Sequence, residues 1–146
     1  MNIDMKKVIY ILLVLVSMLA ACDKVYINGD LDGMWQLKKV ENTNESAVEY
    51  PKDIYYSFQR NLTFISKQNE TDIPLRYLGN LYYSEQDKSV TINGLRNFPD
   101  EAYVATLDDL KQFMLFDTNI IFKISTLDKE QLIMEYGNYR YYLRRW

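Results

Sequence analysis

The sequence predicts an all-β fold: a small antiparallel up-and-down barrel of about eight strands with one short helix. Three observations carry this expectation. From residue 33 onward, apolar and polar residues alternate in short bursts, the period-two mark of half-buried strands. Polar or turn-forming residues separate three pairs of bursts as hairpin turns would. Only one segment departs from the pattern and shows helical spacing. Eight strands in meander order can close on themselves and so remove exposed edges; an open, strongly curled sheet is the alternative.

Taken in order, the first alternation runs through Trp35, Leu37 and Lys39 to Val40. Next, Ile54–Gln59 and Leu62–Lys67 flank Arg60-Asn61 as a tight hairpin would, with Tyr56 and Phe58 sharing a face and Leu62 and Phe64 sharing a face. Residues 76–84 and 89–92 form another pair around the polar turn Glu85-Gln86-Asp87-Lys88. The stretch 93–105 contains Gly94 and Pro99 and reads as an irregular connection with one helical turn after the proline. Thr106-Leu107-Asp108-Asp109 has the form of a capping box with a shorter acid, and Leu110, Phe113 and Met114 follow at helical spacing, predicting a helix over 107–115. The last strands are 119–125, Gln131–Tyr136 and Tyr139–Arg145. Gly137-Asn138, between the final two, is the strongest hairpin signal in the chain.

Ahead of the barrel, Lys6 and Lys7 precede an apolar run of about a dozen residues, the dimensions of a signal segment rather than of a membrane span. The four residues Leu19-Ala20-Ala21-Cys22 that follow resemble the lipobox of bacterial lipoproteins. The resemblance implies that residues 1–21 are removed and that Cys22 becomes the first residue, carrying fatty acyl chains of the palmitate type on sulfur and nitrogen. Each buried methylene adds about 0.8 kcal/mol, so several chains make membrane attachment essentially permanent. Residues 22–32 would then be the lipidated N-terminus and tether, and residues 33–146 the barrel domain. The expected location is the cell envelope, at the outer membrane on its periplasmic side or surface. Asp23 leaves the sorting open, because Asp after the cysteine retains lipoproteins in the inner membrane of some bacteria, while acidic runs direct surface export in others.

Removing residues 1–21 takes away Lys6, Lys7 and Asp4, leaving 15 basic and 19 acidic residues in 125 and a net charge of −4. That balance argues against nucleic acid as a partner, and the length suits one domain with a single core. Cys22 is the only cysteine, which excludes a disulfide and a cysteine nucleophile within the barrel. The absence of histidine excludes Ser-His-Asp hydrolysis and imidazole metal sites. The expectation is therefore a protein that is not an enzyme and has no cofactor or metal. The acid pairs Asp100-Glu101 and Asp108-Asp109 are read as partners of helix starts rather than as a glycosidase pair. Asn28-Gly29-Asp30-Leu31-Asp32-Gly33 matches half of a calcium loop, but its twelfth position is Lys39, whose cation would repel calcium, so it is read as a polar turn. The triplets at Asn44, Asn61 and Asn69 carry no weight as glycosylation acceptors beside a bacterial lipobox.

Gly33-Met34-Trp35 resembles the Gly-x-Trp signature that opens the first strand of lipocalins. The resemblance implies that Trp35 plugs one barrel end beneath a cation from the end of the chain, for which Arg144 and Arg145 are the candidates. Guanidinium over a partly desolvated indole is worth about 1–2 kcal/mol. From Leu110 through Phe122-Lys123-Ile124 and Leu132-Ile133-Met134 to Tyr141-Tyr142-Leu143, the layout is similar to the lipocalin-like lipoproteins of Bacteroides and relatives. The chain departs from lipocalins in having no clear second motif after the early strands. Twelve tyrosines remain after residue 21, with Tyr136, Tyr139, Tyr141 and Tyr142 crowded into the last hairpin, where strand packing and recognition compete for them.

Two functions follow. In one, the barrel is a binding module whose lumen, lined by Tyr56, Phe58, Phe64, Phe122 and Met134, holds a small apolar or amphiphilic ligand. In the other, a filled barrel recognises or inhibits an envelope protein through the loops 42–52, 68–74 and 93–105. The volume of the lumen separates them.

Overall fold

A computed structural model describes residues 26–68 and 74–146. The alternating bursts become β1 (Gly33–Asn42), β2 (Ala47–Glu49), β3 (Ile54–Gln59), β4 (Leu62–Lys67), β5 (Leu75–Ser84), β6 (Ser89–Asn97), β7 (Asn119–Leu127), β8 (Gln131–Tyr136) and β9 (Tyr139–Arg145), with a helix, α1 (Leu107–Lys111), between β6 and β7. All pairings are antiparallel, the order is β2-β1-β3-β4-β5-β6-β7-β8-β9, and β1 also pairs with β9. Eight strands thus close a ring, with β2 attached outside it along the far end of β1. An even count lets a meander close antiparallel on itself, and closure removes the edges that an open sheet would present.

The two-residue turn at Arg60-Asn61 pairs Gln59 with Leu62, so Phe58 stands opposite Thr63 and Tyr56 opposite Ile65. Ile54, Tyr56 and Phe58 therefore share the inner face with Thr63 and Ile65, all of them buried. Phe64 is out of phase with that set. It lies opposite Ser57 and Leu78 on the outer wall, half-buried and edge-on to Phe98 at 5.4 Å. The expectation that Phe64 lines the lumen is corrected: alternation within each strand is right, but the hairpin register joins Phe58 to Thr63, not to Leu62.

Strand β6 runs on to Asn97 where an irregular connection was expected. Gly94, at φ +62°, carries the strand through a bulge opposite Gly79. A Cβ on Gly79 would stand 2.8 Å from both the Asn93 carbonyl oxygen and Leu95 Cδ2, so this close approach needs glycine on that side. Extra residues also bulge β1 between Leu37 and Lys39 and β7 between Ile124 and Thr126. After Pro99 the backbone makes one hydrogen-bonded turn, Tyr103 N–H to Asp100 carbonyl at 3.3 Å, and an isolated bridge joins Arg96 to Val104.

The turn preceding β1, the β3–β4, β5–β6 and β7–β8 turns and the end of β9 gather at one end of the barrel, the lower end here. The β1–β3 connection with β2, the long β6–β7 connection with α1, and the β8–β9 turn gather at the upper end. Between them lies one core that includes Trp35, Leu37, Tyr56, Phe58, Ile65, Phe122, Met134 and Tyr141.

Candidate functional site

At the lower end, residues Gly29–Leu31 form a 3-10 turn whose Leu31 carbonyl accepts from Trp35 Nε1 at 2.9 Å. The Arg145 guanidinium carbon sits 4.0 Å from the centroid of the Trp35 ring. From there the guanidinium donates to the carbonyls of Asp32 at 2.6 Å, Lys129 at 3.1 Å and Asp30. Its fork of fixed N–H directions suits three separate carbonyl acceptors, which an ammonium could not span in one plane. Gly33 makes this possible: its φ is +138°, and a Cβ there would overlap the guanidinium. Arg144 is not part of the seal. It is exposed on the outer wall, paired with Gln36 and Gln131, because the strand alternation that turns Tyr141, Leu143 and Arg145 inward turns Arg144 outward.

The half-motif that resembles a calcium loop is satisfied internally. Asp32 is buried, and its carboxylate accepts from the Asn28 backbone N–H at 3.1 Å and from Asn28 Nδ2 at 2.7 Å. The same amide also donates to the Arg60 carbonyl at 2.7 Å, tying the turn to the β3–β4 hairpin.

The upper end is sealed by α1 and the turn after it. Thr106 caps the helix in a full capping box with Asp109, as the sequence predicts. Those hydrogen bonds, from the Thr106 hydroxyl first, hold the Asp109 carboxyl below its ordinary pKa. The helix is shorter than the predicted 107–115. Leu115 N–H bonds the Leu110 carbonyl at 3.1 Å and Met114 N–H the Lys111 carbonyl at 3.0 Å, with Met114 left-handed at φ 63°. This is a Schellman-type exit with methionine where glycine is usual. It turns Leu110, Phe113 and Leu115 down into the barrel mouth, where all three are buried.

Two tyrosines hold this plug from below. Tyr56 Oη donates to the Phe113 carbonyl at 2.6 Å and Tyr141 Oη to the Met114 carbonyl at 2.8 Å. Burial raises the pKa of both phenols, so they stay protonated and able to donate. Phe113 also meets Tyr77 edge-on at 5.5 Å, and Phe122 meets Tyr141 at 5.1 Å. Plug residues Leu110, Phe113 and Leu115 and their anchor Tyr141 were not singled out by sequence reasoning as site residues. Helical spacing of Leu110 and Phe113 and the inward phase of Tyr141 in the last strand were the available signals.

Between the two seals the lumen is filled. Trp35, Tyr56, Phe122, Met134 and Tyr141 have 0% accessible surface and Phe58 has 1%. A void wide enough for water would leave such side chains exposed to it from within. Of the five residues expected to line a ligand cavity, Tyr56, Phe58, Phe122 and Met134 are packed core and Phe64 is outside. Recesses on the surface open outward. One of about 590 Å³ lies at the lower end, lined by Ile27, Asp30, Tyr83, Lys88 and Leu127 among others, and one of about 450 Å³ at the upper end, beside Tyr50, Lys67 and Met114. Cys22 lies outside the described residues.

The outward tyrosine of the last strand is covered without a ligand. Tyr142 has Lys39 Nζ 3.9 Å from its ring centroid and donates its hydroxyl to Glu41 at 2.6 Å. Tyr139 stacks on Phe116 at 4.3 Å.

A family model described as a lipocalin-like domain matches residues 17–146. Among solved structures, a lipocalin-like protein from Bacteroides uniformis superposes with a TM-score of 0.64 at 19% identity, over 81% of this chain and 100% of that one. An uncharacterized protein from Bacteroides eggerthii superposes with a TM-score of 0.63 at 19% identity, over 80% and 99%. At that identity these two similarities bear on the fold alone. No curated protein matches the chain.

Proposed function

This chain belongs to the lipocalin-like domain family, and we propose that it is a lipid-anchored binding module of the cell envelope that recognises a protein partner through its loops. The observation that carries this reading is the filled lumen: the side chains that would have cradled a small molecule have no room to admit one. Of the two functions open to the sequence, the carrier loses its cavity and the loop-based interaction module keeps its surface. The upper loops present Tyr50, Tyr103, Val104 and Leu107 to solvent. Rigid barrels use such rims for recognition because the scaffold fixes loop geometry at no cost to the core. Lack of histidine and of cysteine inside the barrel supports binding over catalysis. The lipobox at Cys22 supplies the anchor, with fatty acyl chains as the membrane contact.

Native mass spectrometry of the protein extracted from its own membranes tests this. The expected species starts at Cys22, carries the mass of its acyl chains and retains no other small molecule. A stoichiometric apolar ligand surviving extraction would restore the carrier reading, and an unmodified Cys22 would remove the anchor. Affinity capture from envelope extracts is expected to recover a partner that a Tyr50→Ala, Leu107→Ala variant loses. Equal recovery by both proteins would remove the upper loops from recognition.

A further inference from the structure

Apolar side chains are exposed at both ends of the barrel, so exposure alone does not say which end meets what. At the lower end, Tyr26, Ile27, Tyr82 and Trp146 are 55–62% exposed. They are grouped. Tyr26 and Ile27 line adjoining recesses on either side of Arg60, the second of them shared with Tyr82. The Trp146 ring stands edge-on to Tyr55 at 5.1 Å, and its backbone N–H donates to the Met34 carbonyl at 2.9 Å.

Charge separates the two ends. Among the described residues, the upper loops 43–53 and 98–118 hold eight acidic and two basic side chains. The lower turns 26–32, 60–61, 85–88 and 128–130, with Arg144 and Arg145, hold six acidic and five basic ones. A bilayer bearing anionic lipid repels the first set and is nearly indifferent to the second.

Reach separates them further. Cys22 precedes Tyr26 by four residues, which even fully extended span at most about 14 Å. Ten-residue β1 rises about 33 Å along its length, or roughly 25 Å along the axis of a barrel with strands tilted about 40°. A chain held to lipid at Cys22 therefore keeps its lower end near the membrane and cannot turn its upper end onto it.

We propose that the lower rim, with Tyr26, Ile27, Tyr82 and Trp146, is a bilayer-contact surface that seats at headgroup level and turns the acidic upper loops and α1 away from lipid. Tyr and Trp suit that level because each has an apolar ring and a polar atom that stays wet. The inference rests on the proposed anchoring at Cys22, and its test is arranged to be independent of natural acylation.

The chain from Cys22 to Trp146 contains the whole closed barrel, whose buried apolar core runs from Leu31 to Leu143, so it folds without residues 1–21. Its single thiol can be coupled to a maleimide lipid in phosphatidylethanolamine–phosphatidylglycerol vesicles containing brominated acyl chains. Bromine quenches indole emission at short range, and after Cys22 only Trp35 and Trp146 fluoresce as indoles. The expected result is quenching of a component that disappears in Trp146→Phe, while a reporter placed by Tyr50→Trp in that background stays bright. Unquenched Trp146, or a Tyr50→Trp reporter quenched as strongly, would overturn the orientation. Because the coupling supplies the lipid, either outcome stands whatever mass spectrometry says of Cys22 in the natural protein.

Discussion

The two ends of this barrel are closed by different chemistry. Below, a guanidinium is held between an indole and three backbone carbonyls, with its partners drawn from the first strand, its preceding turn and the β7–β8 turn. Above, two neutral phenols hold the exit of a five-residue helix. The lower seal relies on a planar fork of donors and on a close approach, a geometry that only arginine and glycine satisfy. The upper seal relies on hydroxyls, a cap and a methionine in a glycine-like conformation, each replaceable by small changes. The contrast teaches that the fold is tied most tightly where the start of β1 meets the end of β9 and less tightly beneath the loops available for recognition.

Trp35→Ala attacks the lower seal hardest, removing a fully buried ring together with its cation contact and its bond to Leu31. A loss of about 3–5 kcal/mol is expected in urea unfolding. Tyr56→Phe leaves the Phe113 carbonyl without its donor inside the core, for an expected loss of about 1–3 kcal/mol, with hydrogen exchange rising first around α1 rather than at the 3-10 turn. Arg145→Lys keeps the charge but loses the fork, and about 1–2 kcal/mol is expected, with the response confined to the lower end. If that variant loosened the upper end instead, the two seals would not be independent. Thr106→Ala removes the cap for about 1 kcal/mol. The same cap gives the upper end its own acid sensitivity. The Asp109 carboxyl lies below its ordinary value of 3.8 in the folded chain, so its contribution is complete above that value and is lost as pH falls through the lower folded one. Asp109→Asn is expected to flatten this part of the pH–stability curve. Thr63→Val should be the mildest, neutral or stabilising by about 0.5–1 kcal/mol, because the Thr63 hydroxyl is buried with no partner among the described residues.

The legible parts of the fold were those set by neighbours in sequence. Both tight hairpins, around Arg60-Asn61 and Gly137-Asn138, have the predicted strand limits, because turn chemistry and alternation are local. The capping box at Thr106 was legible for the same reason. Three-dimensional register was not. The face of Phe64 depends on which residues the hairpin pairs, the course of β6 beyond Ile92 depends on Gly94 being absorbed by a bulge, and β2 exists only because β1 runs past the end of β3. At the candidate site, Gly33, Trp35 and Arg145 could be named from sequence, whereas the choice against Arg144 needed the phase of β9. The filled lumen was out of reach, since Tyr141, Phe113 and Tyr56 meet only across the folded ring.

The seam between β1 and β9 joins residues far apart in the chain, such as Trp35 and Arg145. Such a closure comes late: the ring cannot finish until synthesis of its final strand is complete, and contacts of this range fold slowly. Losing β9 would expose the free sides of β1 and β8 together and give every truncated copy two sticky borders for its neighbours. Under the export proposed above, this delay is an advantage, because the chain remains threadable until its last residues arrive.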